Sequence, residues 1–252
     1  NAEDRWIPDA ATSAAARNDA GFLKAVLSSR SLGGASSVEP DAGFEPDHRG
    51  AVALIADTLR ASPEPVTLVP VGPLTNIAAF LREHPDLRDS VAHISLMGGS
   101  MGHGNTTPAA EFNIYVDPEA AREVFESGLP ITMSGLDITH QAGAGPDERE
   151  RLRATGRVGG VVAGFLDYFA STYESIFGFD APPLHDPVAV AAVLEPGLLK
   201  TRPMRVDIEC ESDLTRGETV CDFYGVTGRA PNAEVGVDLD REGFFKLLYG
   251  TL

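Results

Sequence analysis

Apolar positions along the chain fall into two kinds of run that alternate. Short, almost continuous apolar runs are typical of strands buried on both faces of a parallel sheet, and they occur at 66–72, 91–99 and 130–135. Longer runs with apolar residues at helical spacing lie around them, at about 48–61, 74–85, 118–127 and 157–177. This alternation predicts an α/β fold, with an open, mostly parallel sheet flanked by helices.

Length and charge narrow the class of protein. The chain has 252 residues, 43% of them hydrophobic, which is enough for one large α/β domain, and we expect residues 1–252 to form a single domain. The net charge of −17 argues against nucleic acid as a partner, because phosphate binding needs a basic face. No apolar run reaches membrane-spanning length and no signal peptide is visible, so we expect a cytoplasmic protein without a membrane partner.

The C-terminal part predicts a small β-hairpin around a turn near residues 213–217, then a strand at 233–240 and a terminal helix at 241–250. Pairing about that turn places Cys210 nearly opposite Cys221, so a disulfide between them is geometrically possible. Two reduced thiols packed on strands are the interpretation that we prefer for a cytosolic protein.

The loop after the second apolar strand carries an unusual set of polar residues, within the sequence GNTTPAAEFNIYVDPEAA at 104–121. Its second half reads as a helix start, with Asp117 as the cap before a first-turn proline. Asn105, Glu111 and Asn113 are not explained in that way. Because ligands of doubly wound α/β sheets lie beyond the carboxyl ends of the strands, this loop is a candidate small-molecule site.

Four segments together resemble the inosine–uridine-preferring nucleoside hydrolases: LVPVGPLTNIA, LMGGSMGHGNTTPAAEFNIYVDPEAA, GLDITHQA and PLHDPVAVAAVL. The resemblance covers residues 47–252, whereas residues 1–46 match the family poorly. It implies an open α/β sheet, a bound Ca²⁺ and hydrolysis of the N-glycosidic bond of ribonucleosides to free base and ribose, as purine nucleosidases do in ribonucleoside catabolism. It also implies a small-molecule nucleoside substrate and a homo-oligomer, either a dimer or a tetramer.

The resemblance assigns Asn105, Glu111 and Asn113 to the ribose. An amide can donate and accept hydrogen bonds and an ionised carboxylate accepts them, so together these groups suit the hydroxyls of a sugar. Phe112 and Met97 would supply an apolar wall against the sugar. Core packing is the alternative role for both side chains, and it suits Met97 in particular because that residue lies at a strand end.

The resemblance also assigns the ligands of the metal and the donor of the proton. Asp186 matches a Ca²⁺ ligand, and the backbone carbonyl of Val71 matches another ligand of the same ion. His185 matches the proton donor to the departing base, or it is a histidine that only orders the pocket. Tyr173 matches a position that faces the base, or it is a core tyrosine. Asp186 also reads as a helix cap before Pro187, which is compatible with a metal-binding role.

Two further polar residues belong to the segment GLDITHQA. We expect Asp137 to cap a helix or to form hydrogen bonds at the end of the sheet, without a catalytic role. His140 recurs in the family motif, and we assign it a structural role.

One motif of the family is absent from this sequence. The family normally begins with a buried strand and the pattern Asp-x-Asp-x-x-x-Asp-Asp, which supplies further Ca²⁺ ligands and the carboxylate that deprotonates the attacking water; its nearest echo here is NDAGFLKAVLSS at 18–29. Three explanations stay open: N-terminal segments are missing from the sequence, a diverged N-terminus supplies carboxylates such as Asp9 or Asp19, or the protein is an inactive relative that binds nucleosides or ribose. A further alternative is an unrelated α/β hydrolase, against which stands the lack of a Gly-x-Ser-x-Gly motif.

Overall fold

The computed structural model describes residues 49–178 and 181–252, which fall into two compact units. We call residues 49–144 together with 183–252 the sheet unit, and the described residues from 145 to 182 the helical unit. The segment at 18–29 and the carboxylates of Asp9 and Asp19, considered above as a diverged metal motif, lie outside the described residues. Among the helices of the described residues, none combines the length and the apolar character that crossing a membrane requires.

The strands all belong to the sheet unit. They are β1 (Val66–Leu68), β2 (Val91–Met97), β3 (Ile131–Ser134), β4 (Leu199–Met204), β5 (Val206–Ile208), β6 (Thr219–Cys221) and β7 (Ala233–Leu239). Five of them form a sheet with the order β1-β2-β3-β7-β4, in which all neighbours are parallel except the antiparallel pair of β4 and β7. The strands β5 and β6 form a separate antiparallel pair. The predicted fold, a mostly parallel sheet flanked by helices with a small C-terminal hairpin, is confirmed.

Helices connect the strands. The sheet unit contains α1 (Ala51–Ala61), α2 (Thr75–Glu83), α3 (Phe112–Val116), α4 (Pro118–Glu126), α5 (Leu136–Thr139), α8 (His185–Leu194) and α9 (Arg241–Thr251). The helical unit contains α6 (Pro146–Ala154) and α7 (Arg157–Phe177), which pack against each other. Arg149 and Arg153 of α6 both form ion pairs with Asp167 of α7.

The main core lies where α1, α2 and α4 cover one face of the sheet. Ile94 and Met133 from the strands are fully buried there with Phe80 of α2 and Phe125 of α4. On the opposite face, α8 packs against β2, and the hydroxyl of Ser95 donates a hydrogen bond of 2.8 Å to a carbonyl within α8. Both faces of β2 are therefore covered, which is why its sequence reads as a continuous apolar run.

Among the elements that were not predicted, three lack the expected pattern in their sequences. The helix α3 has only five residues, too few for a helical period to show. The helix α6 has the sequence PDERERLRA, in which Leu152 is the one buried residue and no apolar stripe exists. The strand β4 reads LKTRPM because it is an antiparallel edge strand whose middle four residues are exposed to solvent.

The pairing predicted for the cysteines is wrong. The pair of β5 and β6 places Val206 opposite Cys221, and Cys210 lies beyond the end of β5. The turn is longer than the sequence suggested, because the backbone N–H of Glu209 donates to the carbonyl of Glu218, the carbonyl of Glu209 accepts from the N–H of Gly217, and the segment between them forms the loop. The two thiols are free in this structure, which agrees with the preferred interpretation of two reduced cysteines.

Candidate active site

The carboxyl ends of β1, β2 and β3 meet at one edge of the sheet, because these three strands are parallel. Met97 at the end of β2, Leu136 just after β3 and Ala189 of α8 form a small buried cluster. Val69, just after β1, packs against this cluster. The loops that follow the three strands are therefore gathered beside the first turns of α8, where sequence reasoning placed the site.

Residues 98–104 leave β2 as a loop whose path depends on two of its glycines. Gly99 has a φ of +76°, and a Cβ at that position would lie 2.7 Å from the side chain of Thr219. A Cβ on Gly104 would lie 2.3 Å from backbone atoms of Ala110. A larger residue at either position would displace the loop that carries the polar cluster.

Asn105 closes a compact turn in this loop. Its backbone N–H donates to the carbonyl of Ala110 at 3.2 Å, and its Oδ1 accepts from the backbone N–H of Phe112 at 2.9 Å. Among residues 49–178 and 181–252, its Nδ2 group has no hydrogen-bond partner. The side-chain oxygen of Asn105 therefore shapes the loop, while its amide N–H donors stay available to a ligand.

Glu111 is the N-cap of α3 and is only 3% exposed. Its Oε2 accepts hydrogen bonds from the backbone N–H groups of Gly99 at 2.9 Å and Ile114 at 3.2 Å, and its Oε1 accepts one from Asn113 at 2.9 Å. Burial raises the pKa of Glu111 to about 7; the three hydrogen bonds oppose that rise and the charge of Asp186 adds to it. Glu111 thus ties the loop after β2 to α3, a structural role that the sequence did not indicate.

Asn113 and Met97 lie next to each other. The Nδ2 of Asn113 donates to the carbonyl of Met97 at 3.0 Å and contacts its sulfur at 3.3 Å. In the part of the chain that the structure describes, the Oδ1 of Asn113 has no partner. Met97 is 4% exposed and packs in the small cluster, so the structure shows the core-packing alternative for this residue. Phe112 is half-buried between Glu111 and Asn113 in the chain.

His185 is the first residue of α8, and its ring is held by two residues of the segment after β3. Its Nδ1 lies 2.7 Å from the hydroxyl of Thr139, and its ring centroid lies 5.7 Å from that of His140 in an edge-to-face arrangement. Burial, together with a smaller contribution from the nearby His140, lowers the pKa of His185 to about 3. The imidazole is therefore neutral at pH 7 in the absence of a ligand.

The prediction that Asp186 caps a helix is wrong. The helix α8 begins at His185, and the capping position belongs to Leu184, whose backbone N–H donates to the carbonyl of Ala142 at 3.1 Å. Asp186 and Pro187 consequently lie inside the first turn, and among the described residues the carboxylate of Asp186 has no hydrogen-bond partner. The surrounding protein raises its pKa to about 6, because it removes part of the carboxylate's hydration although one side stays open to solvent.

The donors at this edge fit a hard cation in kind. Asp186 offers an oxygen ligand with no other partner, and the carbonyl of Val71 accepts no hydrogen bond within the described residues. The number of donors is smaller than Ca²⁺ requires, since no group of three or more His, Cys, Asp or Glu side chains that could hold a metal occurs in residues 49–178 and 181–252. Further protein ligands would have to come from the rest of the chain.

Tyr173 belongs to the helical unit, on α7. It is half-buried and its ring centroid lies 4.5 Å from that of Phe169, one turn earlier. This aromatic contact is a packing role, and the assignment of Tyr173 to the nucleoside base stays a prediction.

The segment after β3 contributes more than the sequence indicated. Asp137 accepts a hydrogen bond of 2.6 Å from the backbone N–H of Met101, which confirms that it forms hydrogen bonds at the end of the sheet. His140 is exposed and lies beside His185, so its position is at the site, although we assigned it a structural role. Thr139 was missed, and the one sequence signal for it is its place next to His140 in GLDITHQA.

Comparison with known proteins agrees with the geometry. The model of the inosine-uridine preferring nucleoside hydrolase family matches residues 5–246 of the chain. A pyrimidine-specific ribonucleoside hydrolase of Citrobacter koseri is 51% identical over 211 residues, which are 83% of this chain and 68% of that protein. A protein of the same description from Escherichia coli is 50% identical over 215 residues, 84% of this chain and 69% of that protein.

A solved structure has the same fold. The purine-preferring ribonucleoside hydrolase from Gardnerella vaginalis superimposes with a TM-score of 0.76 at 34% sequence identity. The superposition covers 84% of this chain and 68% of that one.

Proposed function

The chain belongs to the inosine–uridine preferring nucleoside hydrolase family, and from this premise we propose that it hydrolyses the N-glycosidic bond of ribonucleosides to a free base and ribose. In this reaction the bond between the base nitrogen and C1′ of the sugar breaks, and its electron pair leaves with the base. The hydroxyl of a water molecule ends on C1′, and a hydrogen ends on the base.

One observation above all supports a sugar-binding pocket. The loop after β2 leaves an amide donor on Asn105 and an amide acceptor on Asn113 without protein partners among the described residues, on either side of the carboxylate of Glu111. Each oxygen of Glu111 can accept further hydrogen bonds beyond those it receives from the backbone. A ribose hydroxyl needs both a donor and an acceptor, and this loop provides both.

His185 is proposed as the proton donor to the departing base. Cleavage builds negative charge on the base, and an acid near the base nitrogen lowers the barrier. The ring is neutral without a ligand, because burial lowers its pKa to about 3. Negative charge that develops on the base would raise the pKa of an adjacent imidazole, so that the ring takes up a proton from water and passes it to the base nitrogen. Ordering of the pocket by His185 is the alternative role.

Calcium is proposed as the metal. Asp186 and the carbonyl of Val71 would contribute ligands, and the ion would supply a bound water with increased acidity. The residues of this chain would do the rest: Asn105, Glu111 and Asn113 orient the sugar, and His185 faces the bond to be cut.

We propose pyrimidine ribonucleosides as the preferred substrates, because the relatives with about half of their residues identical are described as pyrimidine-specific. The solved relative with 34% identity is described as purine-preferring, so inosine is the appropriate comparison substrate. Phe112 is proposed to lie against the sugar, and the assignment of Tyr173 to the base stays a prediction from the family resemblance. A cytoplasmic location stays an expectation from the sequence, and a homodimer or homotetramer is proposed from the family resemblance.

The direct test is incubation with uridine and with inosine, each with and without a Ca²⁺ chelator, followed by chromatography of the products. We expect uracil and ribose from uridine, less hypoxanthine from inosine, and loss of both reactions with the chelator. If neither free base accumulates over a long incubation while nucleosides still bind, the proposal is wrong.

One observation favours a second candidate, an inactive relative that only binds nucleosides or ribose. Within the described ranges no group of three metal-ligating side chains exists. Binding of uridine that is independent of Ca²⁺, without release of uracil, would establish this alternative.

A further inference from the structure

Thr139 is the nearest hydrogen-bonding neighbour of His185 that the structure shows, and nothing in the family assignment gives it a role. Its hydroxyl oxygen lies 2.7 Å from Nδ1 of His185, although the two residues are 46 positions apart in the chain. Thr139 has no exposed surface, and His185 is half-buried. A hydrogen bond of this length to a buried hydroxyl fixes the plane and the direction of the imidazole ring.

The hydroxyl of Thr139 forms its hydrogen bond with His185. Threonine in a helix commonly donates to the carbonyl three or four residues earlier, but here the hydroxyl of Thr139 forms its hydrogen bond with Nδ1 of His185. No other partner of the hydroxyl occurs within residues 49–178 and 181–252. The side chain therefore turns away from its own helix and toward the histidine.

The segment that carries Thr139 is rigidly tied on both sides. Gln141 donates to the carbonyl of Asp137 at 3.0 Å and accepts from the backbone N–H of Leu239 at 3.1 Å. Arg241 donates to the carbonyl of Gly143 at 2.8 Å. These hydrogen bonds hold the segment to β7 and α9, so Thr139 has little freedom to move with the ring of His185.

The same segment is also tied to the residues just before His185. The carbonyl of Ala142 accepts from the backbone N–H of Leu184, and Gly143 forms an isolated β-bridge with Pro183. The backbone on both sides of the contact between Thr139 and His185 is thus fixed, and the side-chain hydrogen bond completes the connection.

We propose that Thr139 is a positioning residue: it binds Nδ1 of His185 and thereby directs Nε2, on the other side of the ring, toward the leaving base. A hydroxyl suits this task because it accepts from a protonated Nδ1 and donates to a bare one, so the anchor holds in either state of the ring. The hydroxyl of Thr139 carries no charge, in contrast to a carboxylate. This inference rests on the proposed function for its catalytic consequence, whereas the anchoring itself does not.

The test compares Thr139→Val, which keeps the shape but removes the hydroxyl, with Thr139→Ser, which keeps the hydroxyl. A matched control exists in the sheet unit, because the hydroxyl of Thr132 lies 3.0 Å from Nε2 of His93, and Thr132→Val removes a comparable contact there. Circular dichroism and thermal unfolding confirm that each variant folds.

Two substrates separate positioning from general damage. Uridine needs a proton on its leaving base, whereas 4-nitrophenyl riboside releases a stable anion. We expect Thr139→Val to lower kcat for uridine about 10- to 100-fold with little change in KM, and to change the nitrophenyl reaction by less than about threefold. Thr139→Ser should keep about half or more of the uridine activity, and Thr132→Val should match the wild type. Equal losses on both substrates, no loss on uridine, or failure of the serine variant to restore activity would overturn the proposal.

Nitrogen-15 spectra of histidine side chains test the anchor even if no substrate is cleaved. Thr139→Val should shift the ring nitrogen signals of His185, identified by their disappearance in His185→Gln, and Thr132→Val should shift those of His93 alone. Unchanged His185 signals in Thr139→Val would overturn the anchoring. Absence of base release by the wild type, with the spectral shift present, would instead reject the proposed function and keep the anchor.

Discussion

The chain contains two Asp-Pro steps that look alike in sequence and differ in the structure. Asp117 is the cap of α4: its Oδ1 accepts from the backbone N–H of Ala120 at 3.1 Å, and its Oδ2 accepts from the hydroxyl of Thr75 at 2.6 Å. Asp186 lies one position inside α8 and has no hydrogen-bond partner among the described residues. The same dipeptide thus provides a structural carboxylate in one place and an unused carboxylate in the other.

The difference shows what a capping pattern can and cannot indicate. Aspartate before proline fits a helix start in either register, because proline is tolerated throughout the first turn. At α8 the backbone hydrogen bond from Leu184 to Ala142 fixes the chain before Asp186, and the helix begins at His185. The carboxylate that is released from capping keeps a raised pKa of about 6 and points to a role with a ligand.

Of the two Asp-Pro steps, substitution at Asp186 should have the larger effect on activity. We expect Asp186→Asn to lower kcat/KM for uridine by about 10³-fold, or about 4 kcal/mol, because the proposed Ca²⁺ loses a charged ligand. The melting temperature in Ca²⁺-free buffer should stay unchanged or rise, since an unpartnered carboxylate is removed. A large loss of stability would mean that Asp186 is structural after all. Stabilisation by added Ca²⁺ should occur in the wild type and be absent from this variant.

Glu111→Gln should affect both stability and activity. An amide offers one oxygen and one NH₂ group where the structure directs three backbone N–H donors at two carboxylate oxygens, so at least one donor loses its partner. We expect the free energy of unfolding to fall by about 2 kcal/mol, as for other buried donors left unpaired. Chemical denaturation measures it, and a variant as stable as the wild type would contradict the capping role.

The smallest effect on activity is expected at Asp117, which caps α4. Asp117→Ala should lower the free energy of unfolding by about 1 kcal/mol and leave kcat/KM for uridine within about twofold of the wild type. It is the matched control for Asp186→Asn, because both variants remove the carboxylate of an Asp-Pro step. If Asp117→Ala abolished activity while keeping stability, the distinction between the two steps would be lost.

The sequence allowed the fold to be predicted wherever burial on two faces leaves a continuous apolar run. That is why β2 and β3 were placed nearly to the residue, whereas the edge strand β4 and the polar helix α6 were missed. Tertiary contacts set those two elements, and a pattern of apolar positions does not record them.

The residues of the candidate site came from the resemblance to a family, whereas their contacts came only from the structure. Resemblance to a family located Asn105, Glu111 and His185, yet it did not show that Glu111 receives three backbone hydrogen bonds. Nor did it indicate Thr139, since a contact across 46 residues depends on how α5 and α8 meet. Assignments to ribose, base and metal still rest on the resemblance and need the experiments above.

The most direct measurement for the account as a whole is the ratio of kcat/KM for uridine to that for 4-nitrophenyl riboside in His185→Ala and in the wild type. If His185 protonates the departing base, we expect His185→Ala to lower kcat/KM for uridine by about 10²- to 10⁴-fold, the range of general acid catalysis. The value for the nitrophenyl riboside should change by less than about tenfold. An equal fall for both substrates would contradict a site in which His185 protonates the departing base.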